Sequence, residues 1–220
     1  KRLFLPEVDF LSALCRDVEL ELRGLDPLAS FEEQIVASVT GIAEKYRIDR
    51  AHAMHVRRLA DQLFDGLAEF LDLHRRDRLY LEVAAILHDV GRFISDRDHH
   101  KHSAHIIQWS EVAGLNEEER SLVALIARYH RKGRPRQSHL EFSSLAPDDR
   151  LRVAKLASIL RIADALDRGH VQIVKKLHVS VQETRLEILA EACGDLDAEV
   201  AAMPTKGLMF EELTGLTIHL

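Results

Sequence analysis

Residues 84–91 read Ala-Ala-Ile-Leu-His-Asp-Val-Gly and end the most strongly apolar segment of the chain. Positions 78–90 are apolar almost all round, a pattern typical of a helix that is covered on every side in the centre of a domain. Gly91 suits the position that follows a helix end. The sequence therefore predicts a central helix with His88 and Asp89 in its last turn.

An amphipathic helix precedes this segment, and Asp49 can cap its first turn. The apolar residues of this helix recur at helical spacing: Val56, Leu59, Ala60, Leu63, Phe64 and Leu67. His52 lies one turn before Val56, beside the centre of this apolar stripe, whereas His55 lies toward its flank. We expect His52 to face the core.

Two later helices also direct polar side chains inward. Asn116 and Glu119 offer a helix cap, and His130 ends the apolar face of the helix that follows. Asp164 is embedded in the apolar run 160–166, where a carboxylate needs a partner because a buried unpaired charge is costly. Imidazoles and carboxylates that converge from separate helices are typical ligands of a catalytic metal ion.

The chain divides into a leader with a helix predicted at 6–23, a helical body and a tail. Within the body, the polar segment 94–101 is expected to be a loop ahead of a short helix at about 103–111. Ser30 and Glu33 form a capping-box pattern for the first helix of the body, and the last body helix opens at Pro147 and extends to about Arg168. From position 171, short runs have the composition of strands. We predict a mainly α fold, a helical bundle with a small C-terminal α/β appendage. The predicted units are an N-terminal helix and connector (1–29), a helical domain (30–170) and the appendage (171–220).

Composition excludes several classes of protein. Only 10 Gly and 5 Pro among 220 residues disfavour an all-β sandwich, and a net charge of −6 gives no general attraction to DNA or to an anionic membrane. Cys15 and Cys193 are far apart and form no C-x-x-C pair, so we expect neither a disulfide framework nor a zinc site with thiolate ligands. No apolar run is long enough to span a bilayer, and we expect a cytoplasmic protein. Because the chain begins Lys-Arg-Leu, we expect that part of the natural protein is missing.

The order of these polar residues resembles the HD superfamily of metal-dependent phosphohydrolases. The resemblance implies an HD-type bundle in which His52, His88, Asp89 and Asp164 hold a divalent ion, with His88 and Asp89 as the catalytic pair. Members with two ions add histidines between the pair and the last Asp, and His102 and His130 fit that role. His99 is expected to be solvated or to support a ligand, and His170 to lie at the surface.

The closer resemblance, over about residues 30–220, is to the C-terminal region of the exopolyphosphatase and guanosine pentaphosphate phosphatase family. It is carried by Lys45-Tyr46-Arg47-Ile48-Asp49, His100-Lys101-His102-Ser103-Ala104, Arg128-Tyr129-His130-Arg131-Lys132 and Phe210-Glu211-Glu212-Leu213-Thr214-Gly215-Leu216. In that family polyphosphate hydrolysis is attributed to N-terminal actin-like domains with Gly-rich phosphate loops, which this sequence lacks. Whether such domains precede Lys1 stays open.

The resemblance implies a phosphate-containing small molecule or polyphosphate as ligand. Lys101, Arg131, Lys132 and Arg134 flank the candidate ligands in sequence and are candidates to bind its phosphates. The cofactor would be one or two ions of Mn, Mg, Fe, Ni or Zn, which His and carboxylate ligands do not distinguish.

Three interpretations remain open: a phosphohydrolase, a binding module that grips polyphosphate or a nucleotide for a separate catalytic domain, and a dimerisation domain with relic ligands. A homodimer is expected, since the leading helix and the tail offer surfaces for self-association.

Overall fold

The computed structural model describes the backbone from Pro27 and the side chains from Phe31 to the C-terminus. The helix predicted at 6–23 lies outside the described residues. The elements are α1 (Pro27–Lys45), α2 (Arg50–Leu67), α3 (Arg75–Leu87), a 3₁₀ turn (Val90–Phe93), α4 (His99–Trp109), α5 (Glu117–Arg128), α6 (Leu140–Ser143), α7 (Pro147–Ala165), β1 (Val174–Val181), β2 (Arg185–Ala192), α8 (Asp197–Lys206), α9 (Leu208–Thr214) and β3 (Thr217–His219).

Helix α3 is the centre of the bundle, as its apolar pattern predicts. It contacts α1, α2, α5 and α7, and its residues from Val83 to Leu87 are at most 1% exposed. Within this stretch, the buried side chains of Val83, Ile86 and Leu87 each contribute about 1.5–3 kcal/mol through removal of apolar surface from water. The helix thus holds His88 and Asp89 at its C-terminal end inside the bundle.

Several helix ends follow the predicted caps. Asp49 Oδ1 accepts a hydrogen bond from the backbone N–H of His52 at 3.1 Å, and Asn116 and Glu119 form a reciprocal capping box at the start of α5. Both caps satisfy N–H groups that have no partner within the helix.

Three predicted boundaries are wrong. Helix α1 begins at Pro27, ahead of the Ser30–Glu33 pattern, because a proline fits the first turn of a helix at no cost in hydrogen bonds. Helix α4 begins at His99, within the segment expected to be a loop, directly after Asp98 in the left-handed conformation (φ 58°). Helix α7 ends at Ala165, ahead of Arg168.

The tail forms a three-stranded sheet in the order β1-β2-β3, with β1 and β2 antiparallel and β2 and β3 parallel. The strand composition that begins at 171 forms a strand only from Val174, where β1 starts. Strand β1 lies against α2, where a Cβ at Gly66 would come within 2.5 Å of Val179 Cβ. The mainly α class with a small C-terminal α/β appendage is confirmed, while the unit boundaries at 29 and 170 stay a prediction.

Across the described part of the chain, no helix combines the length and the apolar composition needed to cross a membrane.

Gly91 lets α4 pack onto the 3₁₀ turn, since a Cβ there would lie 2.2 Å from the carbonyl oxygen of His99 and 2.3 Å from the N of Ser103. Because these neighbours are backbone atoms, we expect Gly91→Ala to lower the free energy of unfolding by about 3 kcal/mol, measured by urea denaturation. Gly41→Ala is the matched control, since no described residue comes within 4 Å of a Cβ in that helical position. It should be neutral or stabilising by up to about 1 kcal/mol. Equal effects of the two substitutions would contradict the packing argument.

Candidate metal centre

Five predicted ligands come together at the ends of four helices. His52 lies in the first turn of α2, His88 and Asp89 follow α3, His130 follows α5, and Asp164 lies in the last turn of α7. All five are buried, and the most exposed, Asp164, is only 8% accessible. The apolar faces of the four helices pack on one another, so their polar ends meet inside the bundle.

The imidazole Nε2 atoms face the Oδ1 atoms of the two carboxylates. His52 Nε2 lies 3.5 Å and His88 Nε2 3.7 Å from Asp164 Oδ1, while His88 Nε2 and His130 Nε2 lie 3.7 and 3.8 Å from Asp89 Oδ1. Ligand atoms that each lie about 2.1 Å from one ion are separated from one another by roughly 3–4 Å. The geometry therefore fits a divalent ion in either of two three-residue groups that share His88, namely His52-His88-Asp164 and His88-Asp89-His130.

The other ring nitrogen of each histidine is already bonded. His52 Nδ1 is 2.8 Å from Asp167 Oδ2, and the Nδ1 atoms of His88 and His130 are 2.8 and 2.6 Å from the carbonyl oxygens of Ala85 and Ala127. An Nδ1–H that donates to oxygen leaves Nε2 as the lone-pair nitrogen in a neutral ring. The Nε2 atoms of His52 and His88 are buried without a hydrogen-bond partner among the described residues. This orphaned pair supports a metal site.

Burial and charge set the protonation of the histidines. Burial lowers the pKa of His88 and of His130, so both rings are neutral and ready to bind a cation. Burial also opposes a charge on His52, but the Asp164 carboxylate, whose Oδ1 lies 3.5 Å from Nε2, and the hydrogen bond of Nδ1 with Asp167 outweigh it and raise the pKa of His52 to about 9. In the metal-free protein a proton on His52 thus offsets part of the carboxylate charge.

Each carboxylate also has a cation on its outer oxygen. Arg92 Nε lies 2.8 Å from Asp89 Oδ2, and Lys206 Nζ donates to Asp164 Oδ2. Burial alone would raise the pKa of Asp164, but Lys206 and the facing histidines hold it well below its usual value. Both acids are therefore ionised with Oδ1 directed to the centre.

His99 occupies a place that the sequence does not assign to it. Its Nε2 is 3.0 Å from Asp89 Oδ1, its Nδ1 is 3.1 Å from the carbonyl oxygen of Asp96, and its ring stacks on His130 at 5.5 Å. Neither His99 nor His102, the predicted ligand, belongs to the metal-capable groups among the described residues, and His102 is only partly buried. The early start of α4 directs His99 toward Asp89, so the role of His102 stays a prediction.

A cavity of about 220 Å³ opens onto His52 and Asp89. Its other lining residues are Tyr46, Arg47, Ile48, Asp49, Arg92, Phe93 and His170. The His170 ring stacks on His52 with centroids 3.6 Å apart, and its Nδ1 is 3.1 Å from Asp49 Oδ2. A ligand that reaches the centre by this route would meet two arginines and the Tyr46 and Phe93 rings.

The predicted phosphate-binding residues lie elsewhere, and none of the four lines this cavity. Lys101 and Lys132 pair with Asp98 at 4.0 and 2.8 Å, and Arg134 pairs with Glu212. Arg131 is the nearest of the four to the centre, with Nη1 3.3 Å from His99 Nε2. Their role stays a prediction.

Two residues that contact the candidate ligands were not predicted, although their spacing from a ligand in the sequence indicates that they lie near it. Arg92 follows Asp89 by three positions and Asp167 follows Asp164 by three, which is the spacing of neighbours on one helical face. Lys206 has no such signal, because it comes from the C-terminal appendage.

Comparison with known proteins gives a family and several relatives. The family model described as "Ppx/GppA phosphatase, domain III" matches residues 36–198. A guanosine-5'-triphosphate,3'-diphosphate pyrophosphatase of Pseudoalteromonas translucida is 27% identical over 142 residues, covering 58% of this chain and 29% of that protein. A protein of the same description from Photobacterium profundum is 24% identical over 125 residues, covering 57% of this chain and 24% of its own length. The chain thus spans less than a third of the length of these two relatives.

The raised pKa of His52 gives a pH-dependent contribution to stability. A group whose pKa rises from 6.5 to about 9 on folding stabilises the protein fully below pH 6.5 and loses that contribution as the pH rises through 9. Asp167→Asn removes one of the carboxylates that raise this pKa. We expect the free energy of unfolding to be lower for metal-free Asp167→Asn than for metal-free wild type. This difference should be largest at about pH 6 and should shrink toward about pH 9.5.

Urea denaturation of both metal-free proteins across this range measures the difference. Asp61→Asn is the control, because Asp61 pairs with Arg78, which stays charged throughout. Its difference from wild type should be flat with pH. If the difference between Asp167→Asn and wild type were also independent of pH, Asp167 would not be a cause of the raised His52 pKa.

Proposed function

Because this chain belongs to the Ppx/GppA phosphatase family, matching its domain III, we propose that it is a divalent-metal-dependent phosphohydrolase domain that acts on a phosphate ester or anhydride. The observation that carries the proposal is the set of histidine Nε2 atoms that face Asp89 Oδ1 and Asp164 Oδ1, with each Nδ1 engaged by an oxygen. A scaffold has no physical need to direct this many polar side chains toward one buried point.

His52, His88, Asp89 and Asp164 would hold one ion, and His130 with His99 would serve a second ion that shares Asp89. When bound, the metal would supply a Lewis acid for a phosphoryl oxygen and a water of lowered pKa. Mn, Mg, Fe, Ni and Zn all remain candidates.

The residues of the cavity would bind and orient the substrate. Arg92 and Arg47 offer guanidinium groups to phosphate oxygens, which they can bind through paired hydrogen bonds. The half-buried His170 ring and the fully buried His88 ring restrict water at the centre. A phosphate-containing nucleotide or polyphosphate suits these contacts, and the relatives are described as pyrophosphatases of guanosine-5'-triphosphate,3'-diphosphate.

The organisation of the whole protein is part of the proposal. The helical unit 30–170 would carry the ligands and the unit 171–220 would support them. A homodimer and N-terminal actin-like domains, which the relatives' greater length leaves room for, would complete the natural protein.

His88→Ala and Asp89→Asn should each reduce divalent-metal content and lower phosphate release from a nucleoside polyphosphate or from polyphosphate by about a hundredfold or more, because each removes a ligand. Metal analysis and a phosphate-release assay with added Mn²⁺ measure both effects. His178→Gln is the matched control, since His178 lies on the exposed sheet and pairs with Glu191. Wild type that binds metal and phosphate without turnover would instead support a binding module.

Arg47→Gln should raise KM for a phosphate substrate by about tenfold with a smaller change in kcat, since a hydrogen bond from an exposed charged group to phosphate is lost. Steady-state kinetics measures this. Arg185→Gln, an exposed arginine on β2, should leave both constants unchanged. Equal kinetics of Arg47→Gln and wild type would place the phosphate contacts outside the cavity.

A further inference from the structure

The C-terminal appendage sends one charged side chain into the candidate metal centre. Lys206 is the last residue of α8, and its side chain is only 13% exposed. Its Nζ donates to Asp164 Oδ2 and, at 3.2 Å, to the carbonyl oxygen of His130. One ammonium group therefore contacts two residues of the centre that come from different helices.

The backbone around Lys206 is itself held in place. Arg161 Nε donates to the carbonyl oxygen of Lys206 at 3.3 Å, and Arg161 Nη1 donates to the carbonyl oxygen of Tyr129 at 3.1 Å. Arg161 is only 4% exposed. The end of α8 is thus tied to α7 and to the turn that carries His130, so the direction of the Lys206 side chain is constrained.

Because of this contact, the two carboxylate oxygens of Asp164 face different partners. Oδ2 is taken by Lys206, whereas Oδ1 faces His52 Nε2 and His88 Nε2. Arg92 divides the oxygens of Asp89 in the same way, but the Arg92 side chain is 42% exposed and more strongly screened by water. Lys206 is therefore the stronger of the two constraints.

Charge gives the contact a second consequence. The two carboxylates are already balanced by Arg92 and Lys206, so a divalent ion added to the centre would keep most of its positive charge. Lys206 also competes with the ion for Asp164, because like charges repel at short range in a buried site. It would weaken metal binding while strengthening the attraction for an anion.

We propose that Lys206 is a positioning residue that holds Asp164 by Oδ2 and leaves only Oδ1 for the metal. Its charge lowers the affinity of the centre for the metal ion and raises its affinity for a phosphate anion. This inference rests on the proposed metal centre. A lysine with a purely structural role would have the opposite effect, since its loss would loosen the centre and weaken metal binding.

The test uses the full chain, stripped of metal and titrated with cobalt(II) at fixed pH and ionic strength, followed by titration of the cobalt-loaded protein with inorganic phosphate. Lys206→Met should bind cobalt about tenfold tighter and phosphate about tenfold weaker than wild type. Lys206→Gln keeps a donor without the charge and should behave alike, which covers the case in which Lys206→Met does not fold. Lys206→Arg should stay within about threefold of wild type for both ligands.

Lys155→Met is the matched control, because Lys155 is also partly buried and its Nζ donates to the carbonyl oxygen of Leu71, away from the centre. It should change neither affinity. Weaker or unchanged cobalt binding by both Lys206→Met and Lys206→Gln, or unchanged phosphate affinity, would overturn the inference. Wild type that binds both ligands without releasing phosphate would refute only the proposed catalysis, and wild type that takes up no cobalt would refute both.

Discussion

Two ionised carboxylates inside an apolar helical bundle are the constraint on which the structure depends. Asp89 and Asp164 are each at most 8% exposed, and a buried carboxylate without compensation would cost several kcal/mol. The compensation comes from a guanidinium, an ammonium and a proton on His52. A divalent ion can replace the proton on His52. Binding of the proposed metal would therefore also change the folding free energy of the bundle.

Helix ends fix the orientation of two histidine rings in the candidate metal centre. His88 and His130 each follow the last turn of a helix, and each Nδ1 bonds the carbonyl oxygen three residues before it. Those carbonyls lack a complete set of partners within the helix, so one contact satisfies the helix end and fixes the ring. The same local geometry recurs in two places because the backbone offers it wherever a buried helix stops.

The appendage and the bundle are linked by polar contacts as well as by packing. Gln62 Oε1 on α2 accepts the N–H of Leu177 on β1 at 2.7 Å, and Lys206 reaches Asp164. A small α/β tail can in this way influence a centre whose ligands all come from helices. Similarity to domain III covers the bundle from 36 and the appendage as far as 198, so it does not include Lys206.

The sequence by itself determined the mainly α class, the central α3 and the inward direction of His52, His88, Asp89, His130 and Asp164, because burial of an apolar stripe dictates which face of a helix points inward. It placed the start of α4 wrongly and did not predict the contact of His99 with Asp89, since helix starts in polar segments depend on small differences in capping. Only the tertiary structure decided that Arg92, Asp167 and Lys206 support the ligands and that Arg47 and Arg92 line the cavity. Contacts between side chains distant in sequence depend on how the elements pack, and no local periodicity records that packing.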